Sequence, residues 1–148
     1  MSLDALYQQI ILDHNKKRVG FGLHEGGFPS HQYNPTCGDE ITLTVRLAAD
    51  GNTISAIEWE GKGCSISQAS ASLMVSEVVG MTIAEFEEFA NGFREAMRSR
   101  GQIALAEEEF GDLAALSGVS KFVARVKCAM LAWVAAEDSL ALTRESLN

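Results

Sequence analysis

The chain has 148 residues and a formal net charge of −8, a length that suits one domain with a real hydrophobic core, expected here over residues 1–148. The acidic balance, with no basic run, excludes nucleic acid or an anionic membrane as the main partner, since both are bound through clustered Lys and Arg. No apolar run is long enough to span a bilayer, and MSLDALYQQI lacks the profile of a secretion signal, so a cytoplasmic protein is expected.

The first predicted element is a helix over residues 3–15, where Leu3, Leu6, Tyr7, Ile10 and Ile11 recur at helical spacing and Ser2 with Asp4 suits the start. Residues 16–36 read as a loop, punctuated by Gly20, Gly22, Gly26, Gly27, Pro29 and Pro35. Ile41, Leu43, Val45 and Leu47 then alternate with Thr42, Thr44 and Arg46, which predicts a strand with one buried face. Asp50-Gly51-Asn52 is a hairpin turn, and residues 53–60 return as a second strand. Ile54 and Ile57 are out of phase there, which points to a bulge.

Gly61-Lys62-Gly63-Cys64 ends that strand. Residues 65–79 read as a helix rich in Ser and Ala, closed by Gly80. Thr82 and Glu85 form a capping-box pattern ahead of a helix that presents Ile83, Phe86, Phe89, Phe93 and Met97 on one face. Residues 100–120 form a connector with a short helix near 112–116. The last helix, 121–145, carries Phe122, Val126, Met130, Trp133, Val134 and Leu140. This order predicts an α+β fold: a small antiparallel sheet of about three strands with helices packed on it. Trp59 and Trp133 read as core or interface residues, and His14, His24 and His31 as surface or docking residues.

Three cysteines in a reducing compartment argue against a disulfide framework and leave metal binding, catalysis or plain burial. Cys37 and Asp39 stand two apart, so on an extended chain they point to one side. Thiolate and carboxylate repel there, and a divalent cation between them removes the conflict. Cys64 follows Gly61 and Gly63 at the start of a helix, where the helix dipole favours a thiolate. Cys128 lies on the last helix off the stripe of Val126, Met130 and Trp133, with Arg125 one turn earlier. Each cysteine taken singly also reads as a small buried hydrophobe. Together, three thiolates and Asp39 supply the four donors that tetrahedral zinc takes, although the spacing is not a contiguous Cys-x-x-Cys ribbon. An oxygen donor would leave such a site readier to exchange a ligand than four thiolates.

The segments YNPTCGDEI, GKGCSISQASASLM and RVKCAMLAW resemble the U-type iron–sulfur cluster assembly family, with the IscU/NifU N-terminal-like fold, and the similarity runs from LYQQIILDH to the last helix. Within that family the chain is similar to the SufU branch. Lys127 stands where scaffold members carry a histidine before the third cysteine, and GDLAALSGVSKFVARVK replaces their Leu-Pro-Pro-Val-Lys stretch. Val123 follows Phe122 where the branch leads one to expect proline.

The resemblance implies a zinc-dependent sulfurtransferase with Cys37, Asp39, Cys64 and Cys128 as zinc ligands. Cys37 would accept persulfide sulfur from a SufS-type cysteine desulfurase and pass it to downstream cluster-assembly proteins. Arg125 would steady the released thiolate or persulfide. A histidine of the docked desulfurase would replace Cys37 on the metal, and the glycine-rich loop before Cys37 would let it swing out. The alternative is a scaffold that builds an iron–sulfur cluster on the same cysteines.

Overall fold

The alternation at residues 41–47 forms the central strand of the structure, a computed structural model that describes residues 3–147. Ser2, expected at the start of the first helix, lies outside the described residues, as do the side chains of Leu3 and Asp4. The chain runs α1 (Leu3–Lys17), β1 (Ser30–Asn34), β2 (Asp39–Leu47), β3 (Ile54–Lys62), α2 (Ser65–Val78), α3 (Ile83–Arg98), α4 (Glu107–Phe110), a 3-10 helix (Gly111–Lys121) and α5 (Val123–Glu145). The sheet is antiparallel in the order β1-β2-β3, and helices pack on it, as an α+β fold requires.

In β2, Asp39, Ile41, Leu43 and Val45 face inward on the period of two, and α5 lies across that face. The bulge expected in the second strand is present. Arg46 pairs with Ala56 but Leu47 pairs with Ile54, so Ser55 is the extra residue, and both Ile54 and Ile57 reach the core. The Asp50 carboxylate accepts the Asn52 and Thr53 N–H groups at 2.8 and 2.9 Å and fixes the hairpin turn. Gly61 pairs with Ile41 so closely that a side chain there would meet the Glu40 carbonyl oxygen. The capping box of Thr82 and Glu85 is formed on α3, whose Ile83, Phe86, Phe89, Phe93 and Met97 are buried as the spacing predicts.

Four readings are corrected. Residues 30–34, read as loop, form β1; SHQYN carries no apolar alternation, and the strand exists because it pairs with β2 and lies under α5. The connector is more ordered than expected, with α4 ahead of a 3-10 helix that runs well past residues 112–116. In α5, Val134 is exposed and Val126 and Met130 are half-buried, while Cys128, Ala129, Ala132, Trp133 and Ala136 are buried. The small residues face inward because α5 must approach both the sheet and α2 closely. His14 is not at the surface; it is buried, with Nδ1 2.7 Å from Ser72 Oγ. His24 and His31 are exposed, as expected; His24 pairs with Glu58, and His31, on β1, pairs with Glu40. Both tryptophans are in the core.

Candidate metal centre

Three chain segments meet at one end of the sheet. The first is the turn of residues 35–38 between β1 and β2, which carries Cys37. Cys37 is therefore not on an extended strand, and the expected same-side geometry with Asp39 does not apply. The two converge because the turn doubles back, with Gly38 at φ +72° and its N–H donating to the Asn34 carbonyl oxygen at 2.8 Å. The glycine-rich loop does not adjoin Cys37 either, because β1 lies between them.

The second segment is the start of α2. The Cys64 N–H donates to Asp39 Oδ1 at 2.8 Å, and the Ser67 hydroxyl lies 3.4 Å from the same oxygen. The third is the first turn and a half of α5, which lowers Cys128 onto the sheet. Asn34, directly across the β1–β2 ladder from Asp39, donates from Nδ2 to Cys128 Sγ at 3.9 Å and accepts the Thr36 N–H at 3.3 Å. It ties the Cys37 turn to α5.

Ligand atoms of Cys37, Asp39 and Cys128 all lie within 4.8 Å of one another. Cys64 falls outside this tight group, although its thiol also lies against Cys128. Exposure differs sharply across the set: Cys37 is exposed, Cys64 intermediate, and Cys128 and Asp39 fully buried. Arg125 is not part of this cluster. It is exposed and lines a groove with Tyr7, Ile11, Ser65, Ile66 and Phe122, next in chain to Cys64. Lys127 is exposed on another groove wall, beside Asn34, Pro35 and Thr36.

The electrostatics of the cluster are unbalanced as they stand. Asp39 Oδ2 is buried without a hydrogen-bond partner, alone in this respect among the described residues. A buried carboxylate oxygen without a partner is costly. Burial first, then the neighbouring Asp39, Cys37 and Cys64, push the Cys128 thiol far above the ordinary cysteine range. A cation among these atoms reverses both penalties, giving Oδ2 a partner and stabilising thiolate sulfur. Sulfur donors with one oxygen are a donor set that suits zinc. The residues present fit such an ion.

Sequence reasoning missed Asn34 and Ser67; it singled out Gly63 before Cys64, and the structure shows that the close approach there is to Asp39. Two signals pointed toward this end of the sheet. The inward alternation of β2, followed back from Val45, reaches Asp39 and shows that its carboxylate faces the core. The dipeptide Asn34-Pro35 marks the start of the turn that presents Cys37.

Fold and donor set together define a small α+β protein with a candidate thiolate–carboxylate metal centre, and comparison with known proteins gives its family. Residues 6–129 match the NifU-like N terminal domain. The chain is 41% identical over 140 residues to the zinc-dependent sulfurtransferase SufU of Bacillus subtilis, covering 95% of this chain and 92% of that protein. It is 38% identical to the iron–sulfur cluster assembly scaffold protein IscU of Streptococcus pyogenes, covering 93% and 84%. Among solved structures, the putative SUF-system scaffold from Fervidobacterium islandicum superposes with a TM-score of 0.77 at 29% identity, covering 94% of this chain and 99% of that one. The chain belongs to the NifU-like N-terminal domain family.

Proposed function

We propose that this protein is a zinc-dependent sulfurtransferase. It takes persulfide sulfur from a SufS-type cysteine desulfurase and hands it to downstream iron–sulfur cluster-assembly proteins in the cytoplasm. The observation that carries this reading is the uneven exposure of the donor set: one exposed thiol, Cys37, beside two buried donors, Asp39 and Cys128. A site built only for structure would have no need to keep a donor at the surface.

Cys37, Asp39, Cys64 and Cys128 would hold the zinc ion, which when bound keeps the thiols deprotonated and gives Asp39 Oδ2 its partner. The transfer itself belongs to Cys37. Its thiolate attacks the outer sulfur of the donor persulfide; the new Cys37 S–S bond forms as the donor S–S bond breaks, and the donor cysteine leaves as thiolate. Cys37 sits on a turn pivoted at Gly38, which gives it reach toward a partner's surface. Arg125, exposed on the groove beside the start of α2 and outside the donor cluster, would meet the anionic sulfur species only once Cys37 has left the donor set.

The test is alanine production by the desulfurase with and without this protein, zinc-loaded and zinc-stripped. Strong stimulation by the zinc form alone is expected. The second reading is a scaffold for an iron–sulfur cluster; it draws support from the likeness to the streptococcal scaffold protein and from the same thiols. A stable, coloured, cluster-bearing protein without effect on the desulfurase would favour it.

A further inference from the structure

Asp39 has two carboxylate oxygens in different surroundings. Oδ1 accepts the Cys64 N–H at 2.8 Å, while Oδ2 has no partner. Three features of the α2 start hold the carboxylate in that rotation. The Cys64 N–H is one of the unpaired donors at the helix N-terminus and supplies the main bond. The Ser67 hydroxyl, one turn later, donates to the Cys64 carbonyl oxygen at 3.0 Å and makes a longer contact of 3.4 Å with Asp39 Oδ1, which places it over the carboxylate. Gly63 makes the approach possible: a Cβ there would collide with Asp39 Oδ1 and stand 2.7 Å from Ser67 Oγ.

We propose that Gly63 and Ser67 are positioning residues that lock Asp39 Oδ1 onto α2, so that the carboxylate meets the metal through Oδ2 alone. The inference rests on reading the centre as a zinc site. It makes the orientation of the one oxygen donor a property of α2 rather than of the Cys37 turn. Cys37 can then leave its place without taking Asp39 with it. Groups that orient a ligand in this way carry a share of metal affinity on the order of 10–100-fold.

The experiment measures zinc affinity by competition with a chromophoric chelator and records the ligand-field spectrum of the cobalt(II) form. The proteins are the wild type, Ser67→Ala, Ser67→Thr and Gly63→Ala, and the thermal midpoint of each metal-free protein is taken alongside. Ser67→Ala is expected to weaken zinc binding about 10-fold and to alter the cobalt spectrum, with the metal-free midpoint unchanged. Ser67→Thr, which keeps the hydroxyl, restores both. Gly63→Ala weakens binding further; where that variant does not fold, the serine pair decides. Ser67→Ala and Gly63→Ala with wild-type affinity and an unchanged spectrum would overturn the inference while leaving the zinc reading intact. A wild type that retains no zinc overturns both.

Discussion

Two regions along α5 are built by opposite rules. Around Trp133 every requirement is met. Phe93 stacks on its ring with centroids 4.4 Å apart, and Phe86 and Phe89 flank it at 6.4 and 6.0 Å. Its Nε1–H donates to Ser70 Oγ at 3.1 Å, and the Ser70 hydroxyl donates in turn to the Ala129 carbonyl oxygen at 2.6 Å. Five residues earlier, Cys128 lies in a cluster with a carboxylate oxygen that has no partner and thiols crowded against one another. Trp133, Cys128 and Asp39 are all buried, so burial alone does not distinguish core from site. What differs is whether the polar atoms are satisfied. The aromatic region stabilises the fold, and that leaves the cysteine region free to hold donors that are not satisfied by one another.

The largest break in this comparison comes from Cys37→Ala. It is expected to abolish stimulation of the desulfurase while the circular dichroism spectrum stays native, since the exposed turn carries little packing. Wild-type stimulation by that variant would end the sulfur-acceptor reading. Phe93→Ala should do the reverse. It removes a fully buried ring from the Trp133 stack and should cost about 3–5 kcal/mol by urea denaturation, with bound zinc per folded molecule unchanged. Loss of zinc in step with loss of stability would show that the two regions are not separable.

Asp39→Asn sharpens the contrast through opposite signs. It should weaken zinc binding, yet raise the stability of the metal-free protein by about 1 kcal/mol, because an uncompensated buried acceptor is replaced by a neutral amide. A metal-free variant less stable than the metal-free wild type would contradict the description of this end as unsatisfied.

The smallest expected effect is at His14, which links α1 to α2 away from both regions. Burial first, then the charge of Lys17, holds its pKa below the ordinary value of 6.5. Unfolded chains therefore take up a proton that the native state resists. The His14 contribution is intact above that value and declines as pH falls from about 6.5 toward the native pKa. His14→Gln should remove this part of the slope in urea midpoints measured across that range. An unchanged slope would mean that His14 protonates freely in the folded protein.

Much of this fold is legible in the amino-acid sequence. The period of two in Ile41, Leu43 and Val45, the out-of-phase Ile54 and Ile57, and the pairing of Thr82 with Glu85 each encode a local geometry that the neighbouring residues alone enforce. The candidate donors are legible as residue types and as three motif blocks. Their arrangement is not. β1 escapes a sequence reading because SHQYN has no pattern of its own, and the inward face of α5 is only partly read: Trp133 and Leu140 are buried as expected, while close approach selects small residues there over Val126, Met130 and Val134.

The sequence by itself determined the element order, the antiparallel hairpin, the aromatic face of α3 and which side chains are able to bind a metal, because those follow from local periodicity and from chemistry carried by single residues. Only the tertiary structure decided that Cys37 sits on a turn, that Arg125 stands apart on a groove wall, and that Asp39 presents one hydrogen-bonded oxygen and one without a partner. Those facts depend on contacts between segments far apart in the chain, such as the Cys64 N–H meeting a carboxylate 25 residues away.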